Sequence, residues 1–347
     1  MKRKILVLGV ALLMLLAAGA RGEFVYTNTS VATCEQTHAM YSRFYQSGEL
    51  SVNIPGLAEG LVPQGLDDLP AENWLLFAGY RSDKGNSALI AVDLATNEVV
   101  KEVILYNMDG SAYNGHAGGV CVTEKNIFLS NAHRLLLISL ETFRALPASG
   151  ACRFEEEIPV PVNASYCCYD EGVLWVGEFQ YGAEYKTDAS HRIRTADGAY
   201  RAWTCGYVLD GDSENELKPS ALTEGGDARP DYILSTTERI QGITVKEGKI
   251  YLSQSYGRRA SSSIYRYQNV FARAADAEVA LDGVSVPVWF LDKSALEDTL
   301  IAPPMTECLC TIGGCVYVLF ESGAETYRAG KNPSENPMDR VFRLVEY

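Results

Sequence analysis

An all-β fold, and within it a single five-bladed β-propeller, is the class this sequence predicts, on three observations. Five segments repeat an apolar strand with an aromatic residue at its centre. A second short pattern recurs about ten residues before four of those aromatics, and helical periodicity between the copies is almost absent. Radially repeated four-stranded sheets are the architecture that such a series fits.

The five strands run in order from Trp74 to Tyr80, Asn126 to Asn131, Val173 to Glu178, Lys249 to Gln254 and Cys315 to Phe320. Their central aromatics are read as Phe77, Phe128, Trp175, Tyr251 and Tyr317. Upstream, a polar or small residue precedes a small residue and then an apolar one: Gln64-Gly65-Leu66, Gly118-Gly119-Val120, Gln241-Gly242-Ile243 and Glu307-Cys308-Leu309. The third copy, Ala164 to Tyr169, keeps strand character but loses this motif.

A third strand follows each aromatic one: Ser87 to Leu94, His133 to Leu140, Cys205 to Leu209, Ser262 to Tyr267 and Arg340 to Glu346. The spacing is uneven and widest on either side of Tyr251, which places insertions there. Helix signals are confined to capping patterns at Thr33 to Gln36 and Ser294 to Glu297. The last copy ends at the terminal Tyr347, so the ring is expected to close with help from the N-terminal segment around Phe24 to Tyr26, which would supply the missing outer strand.

Ahead of the repeats, Lys2, Arg3 and Lys4 precede an apolar run from Ile5 to Leu16 and the small-residue pattern Ala18-Gly19-Ala20. This reads as a secretory signal peptide over residues 1–20, leaving 21–347 as one propeller domain in a secreted or extracytoplasmic protein. Removing it takes away three of 30 basic residues and none of 44 acidic ones, so the formal charge moves from −14 to −17. Such an acidic surface argues against nucleic acid as a partner, and no second long apolar run argues for membrane insertion.

Nine cysteines are an odd number and their spacing sets no pairing. Cys167 and Cys168 point to opposite faces if they lie on one strand. Cys308, Cys310 and Cys315 have a spacing open to a zinc or redox reading, against which stands the plainer one of buried thiols in strands. The run Asp210 to Glu216 resembles the start of a calcium loop but carries Asn215 where the turn glycine belongs, and reads as a solvated turn. Asn28 and Asn163 begin glycosylation sequons.

In a propeller the inner strands line a central channel, and the loops entering them share one face with the loops joining second and third strands. Long insertions at 81–86, 180–204, 256–261 and 322–339 fall on that face and build up one mouth. Gln64, Gln241 and Glu307 begin inner strands there, with His116 just before its own. Tyr80, Asn131, Glu178 and Glu321 stand at the ends of second strands, and Tyr256 and Arg258 on the adjoining loop.

Such a ring of amides and carboxylates suits a small polar ligand, a glycan, a peptide or a channel cation, and no cofactor signature accompanies it. Inner-strand amides can equally be satisfied by water and backbone alone. Arg258 is the expected partner of the glutamates, while His191 in the insertion is expected at the surface.

Pro63-Gln64-Gly65-Leu66, Tyr80, Ser87 to Thr96, and the echo Gln241-Gly242-Ile243 with Ser255 to Arg258 and Ser262-Ser263 resemble the propeller-type glutaminyl-peptide cyclotransferases. The similarity covers two of the five copies, with Pro63 where that family has Thr. It implies an alternative to simple ligand binding: an enzyme in which Glu178 or Glu307 shuttles a proton between a substrate amine and its leaving amide.

Overall fold

The structure, a computed structural model, describes residues 24–32, 38–221, 223, 226–329 and 331–347. The expected export segment at 1–20, Cys34 and the capping pattern at Thr33 to Gln36 lie outside the described residues.

The chain is all-β, built of successive antiparallel units. A short helix α1 (Ser42–Gln46) leads into strand β1 (Gly48–Asn53). The first unit follows as a meander of β2 (Leu61–Leu69), β3 (Trp74–Arg81), β4 (Ala88–Asp93) and β5 (Val99–Tyr106). In the second, β6 (Gly119–Val122) pairs with β7 (Asn126–Ser139), which turns back on itself at Ala132. Ala132 is left-handed at φ 53°, and Leu140 N–H returns to the Lys125 carbonyl at 2.7 Å. Helix α2 (Leu140–Ala145) and strand β8 (Ser149–Arg153) then lead out to the parallel edge of β5.

The long β9 (Glu156–Asp170) belongs to two units: its start pairs with the second half of β7, and its end pairs with β10 (Val173–Glu178). After the small hairpin of β11 (Ile193–Thr195) and β12 (Gly198–Tyr200), β13 (Ala202–Val208) and β14 (Tyr232–Thr236) complete the third unit. The fourth is β15 (Ile240–Lys246), β16 (Lys249–Gln254), β17 (Ser262–Tyr267) and, after the excursion of β18 (Ala277–Leu281) and β19 (Val284–Phe290), β20 (Leu296–Ala302). In that excursion β19 runs parallel to β14 of the third unit. The last unit is β21 (Thr306–Ile312), β22 (Cys315–Phe320) and, past the short helix α3 (Glu325–Arg328), β23 (Arg340–Leu344).

The first strands of the units stand side by side. β2 touches β6, β6 touches β9, β9 touches β15, β15 touches β21, and β21 returns to β2. This is a β-propeller arrangement, with its core between the faces of adjacent sheets: Leu76, Leu89, Ile127 and Leu136 pack between the first two units, and Trp175, Leu234, Ile243 and Leu252 between the third and fourth. Cys167 and Cys168 fall into different clusters, as alternation along a strand requires.

Strand pairing corrects the register of one aromatic. Cys121, Cys168, Thr244 and Cys310 oppose Phe128, Trp175, Tyr251 and Tyr317, and the equivalent inner-strand residue of the first unit, Asp67, opposes Leu76. Phe77 is therefore one position out of step and faces the last unit instead of the second, because a shift of one residue reverses the face.

Closure also differs from expectation. The outer strand of the last unit is β1, which pairs with β23 through Gly48↔Leu344 and Leu50↔Phe342. Residues 24–26 instead lie on the first unit, where Val25 and Tyr26 N–H donate to the Glu102 carboxylate at 2.9 and 3.2 Å. A few residues on, Val31 and Ala32 N–H donate to Asp339 at 2.8 and 3.0 Å, so the N-terminal segment straps the first unit to the last. Phe44 of α1 secures this closure: its ring lies 4.1 Å from Phe342 and 6.0 Å from Phe320.

Two carboxyls clasp neighbouring inner strands. Asp67 Oδ2 accepts from Val122 N–H at 2.6 Å, and Asp170 Oδ2 from Val245 N–H at 2.8 Å and the Thr244 hydroxyl at 2.9 Å. Burial pushes Asp170 up to about 7 and the neighbouring Asp68 up to about 6.

Replacing Phe44 with Ala is expected to cost about 3–5 kcal/mol by emptying a fully buried site at the closure, read from urea denaturation. A carboxyl held above its unfolded pKa of about 3.9 binds its proton more tightly in the folded chain; that contribution is whole at acid pH and lost as the pH rises through the folded value. The melting temperature is thus expected to fall between about pH 5 and 8, less steeply in Asp170→Asn; an unchanged slope in the variant would remove Asp170 as the cause.

Candidate functional site

Four inner strands carry a β-bulge at the same level. Pro63 and Gly65 pair with adjacent Gly79 and Ala78, which leaves Gln64 as the extra residue. Ser165 is extra in the third unit and Gln241 in the fourth, while in the last unit Glu307 and Cys308 together oppose the single residue Leu319. A bulge re-aims its side chain, and here all four line one cavity. Gly118 takes the equivalent place in the second unit, and the cavity measures about 590 Å³.

The residue after each of these explains the recurring glycine. A Cβ on Gly65 would lie 2.5 Å from Val120 N, on Gly119 2.4 Å from Cys167 N, and on Gly242 2.8 Å from Leu309 N. These strands pass backbone to backbone against the next inner strand, and no side chain fits between them. Cys308 holds the same position in the last unit, its thiol donating to the Leu66 carbonyl at 3.4 Å.

The third unit has Tyr166 there, which is why it lacks the motif. Its ring lies over Gly177, where a Cβ would come within 2.1 Å of it, and its hydroxyl meets Thr204 Oγ1 at 2.7 Å. One residue further, Leu66, Val120, Cys167, Ile243 and Leu309 are at most 1% exposed. They pack between adjacent units one residue beyond the cavity, which forms a cup at this end of the ring.

At the cup wall two carboxyls meet. Gln241 Nε2 donates to Glu307 Oε1 and Gln64 Nε2 to Glu321 Oε2, each at 3.1 Å, and the two glutamates hydrogen-bond to one another. Desolvation pushes the Glu307 carboxyl well up, and the Glu321 charge adds to it. Glu321 is also raised by burial, held back by hydrogen bonds from Glu307, Tyr327 and Gln64 and by the Arg258 charge. Two carboxyls in contact at 3% and 9% exposure cannot both ionise at neutral pH, so the pair holds a proton.

Aromatic rings complete the wall. Tyr80 Oη lies 3.2 Å from Tyr327 Oη, and the Tyr80 ring covers His116 at 4.4 Å. Burial pushes Tyr80 up to about 12, which keeps its hydroxyl a donor. Asn131 Oδ1 receives the His116 backbone N–H at 3.1 Å. Tyr256 lies tilted against Tyr181 at 4.3 Å beside Phe179 and Tyr185. Arg258 lies over the Tyr327 ring at 5.0 Å and donates to the Asn332 carbonyl, so its expected pairing with Glu307 is replaced by a more distant action on Glu321.

The structure therefore brings Gln64, Tyr80, His116, Asn131, Gln241, Tyr256, Arg258, Glu307 and Glu321 to one cavity. Glu178 is not among its lining residues. It is buried beneath the 180–201 insertion, accepting from Trp203 N–H at 3.0 Å and Asn163 N–H at 3.3 Å and pairing with His191 Nδ1 at 2.6 Å. His191, expected at the surface, is buried and stacks on Trp203 at 3.9 Å. Ser165 and Tyr327 were missed: the first is found by aligning the third copy on Cys167, whereas nothing in the sequence marks the second.

Cys308 and Cys310 are buried thiols and Cys315 is half-buried; among the described residues no group of three or more His, Cys, Asp or Glu is placed to hold a metal. The acidic run ends in Glu216, whose carboxylate accepts from Asn126 Nδ2 at 2.8 Å and the Thr123 hydroxyl, joining the second and third units. No described helix is long and apolar enough to cross a membrane.

No family model matches the sequence, and no curated protein matches it. Among solved structures, the chain is similar to the Myxococcus xanthus glutaminyl cyclase at 10% identity and TM-score 0.40, covering 82% of this chain and 90% of that one. It is similar to a GH43_1 enzyme from Xanthomonas citri at 12% identity and TM-score 0.43, covering 89% and 93%. Against Kuenenia stuttgartiensis hydrazine synthase the values are 10% and 0.37, with 74% of this chain spanning 55% of that one. The propeller arrangement rests on strand pairing and the ring of inner strands, not on these superpositions.

Since Glu178 holds the insertion and not the cup, Glu178→Ala is expected to expose residues 180–201 to limited proteolysis while leaving Gln64, Glu307 and Glu321 in place. Unchanged cleavage would show that the His191 pair does not anchor the insertion.

Proposed function

We propose that this protein is an exported five-bladed β-propeller that binds a small polar molecule, glycan or peptide in the cup at its loop-built mouth. The observation that carries the reading is the bulged ring of inner-strand residues. It turns Gln64, Ser165, Gln241 and Glu307 toward one cavity, where Glu321 joins them. Aromatic walls beside the buried polar groups support retention of a ligand. The buried amides offer hydrogen-bonding groups that an apolar ligand would leave unmatched.

The second reading, a cyclotransferase-like enzyme, is favoured by the protonated Glu307–Glu321 pair. In it the substrate α-amine attacks its own γ-carboxamide carbon, a C–N bond forms, and the original amide C–N bond breaks to release ammonia. The pair, already holding one proton, would take the amine proton on its ionised carboxylate and return a proton from Glu307 to the leaving nitrogen. Glu178, the other carboxylate considered for this role, is engaged by His191.

Thermal shift with short peptides and oligosaccharides tests the binding reading. A bound probe stabilises by roughly 2.7 kcal/mol at a hundredfold excess over Kd, and Glu307→Gln and Arg258→Ala are each expected to remove that rise. Both variants keeping it would place the ligand elsewhere. Ammonia release from an N-terminal glutaminyl peptide, lost in Glu307→Gln, would establish the enzyme; no release from the native protein would sink that reading.

A further inference from the structure

At the other end of the inner strands, between the third and fourth units, a second recess of about 330 Å³ opens. Its wall is aromatic and comes from four separate segments: Trp175 of β10, Tyr232 at the start of β14, Phe271 in the turn after β17, and Trp289 of β19. Phe271 stands among the others, nearly parallel to Trp175 at 5.6 Å, across Trp289 at 5.0 Å and tilted to Tyr232 at 5.8 Å. Tyr232 and Phe271 are half-buried, so their rings reach the opening.

The charged residues lining this recess are both acidic, Asp170 and Glu171. Hydrogen bonds hold them at its edge: Asp170 takes Val245 N–H at 2.8 Å, and Glu171 takes Gly248 N–H at 3.0 Å. Two neighbouring cations are engaged elsewhere, Lys249 with Glu297 at 2.8 Å and Arg273 with Asp276 at 2.5 Å. The Trp175 indole N–H is buried and meets no acceptor, an unmatched donor beside the recess.

Aromatic faces attract cations, and the exposed Glu171 carboxylate at the rim sets the same sign. A compact, strongly hydrated metal ion would lose its water to rings that cannot replace it. A cation clothed in carbon loses little hydration and meets the half-buried rings of Tyr232 and Phe271, which the buried indoles back. We propose that this recess is a binding site for an alkylated ammonium ion. The site is separate from the mouth cup and does not depend on what the cup binds.

Choline titration followed by tryptophan fluorescence tests this, with 3,3-dimethylbutan-1-ol as the uncharged compound of the same shape. Saturable quenching by choline is expected, at least about tenfold tighter than by the alcohol. Phe271→Ala should weaken it about tenfold or more. Glu171→Lys, a change at an exposed position that spares the core, should abolish it. Glu307→Gln at the cup should leave it unchanged. Equal affinity for the alcohol, no saturable quenching, binding that survives Glu171→Lys, or binding lost in Glu307→Gln would each overturn the proposal.

Discussion

The structure depends on how closely its inner strands approach one another. At Gly65, Gly119 and Gly242 the backbone of one unit lies so near the next that a Cβ would stand within 3 Å of a main-chain nitrogen. That approach sets the radius of the ring, and the radius sets the rest. It keeps Leu66, Val120, Cys167, Ile243 and Leu309 buried between adjacent units just beyond the cup. The two other units carry side chains at this level: Cys308 turns its thiol to the Leu66 carbonyl, and Tyr166 is accommodated because Gly177 on the neighbouring strand makes room for its ring.

The bulges one residue above follow from the same constraint. A regular strand would alternate its side chains between the two flanking units, and none would face the axis. An extra residue breaks the alternation, so Gln64, Ser165, Gln241 and Glu307 turn inward at the level where the strands begin to diverge. Gln64 and Gln241 each hydrogen-bond a glutamate, and the two glutamates bond to one another. Low dielectric makes two bare charges there costly, and one shared proton relieves the cost without breaking the network.

Buried carboxyls serve different ends elsewhere in the molecule. Asp67 and Asp170 accept backbone N–H groups of the next inner strand, so they join units. Glu216 and Glu178 tie loops to strands, the latter through His191. At the cup the carboxyls of Glu307 and Glu321 face each other, and that arrangement, more than burial alone, distinguishes a chemically open site from a structural clasp.

The all-β class, the repeated aromatic strand and the inner-strand motif were legible in the sequence because period-two alternation and a close-approach glycine are local properties. Gln64, Gln241 and Glu307 were legible for the same reason, as equivalent places in one repeat. The register of Phe77 was not, since neighbouring apolar residues look alike until pairing assigns each a face. Closure by β1 instead of residues 24–26, the removal of Glu178 to a buried pair with His191, and the meeting of Glu307 with Glu321 and Tyr327 were decided only by the tertiary structure. Each depends on which distant segment arrives beside a residue, and no property of the residue itself encodes that.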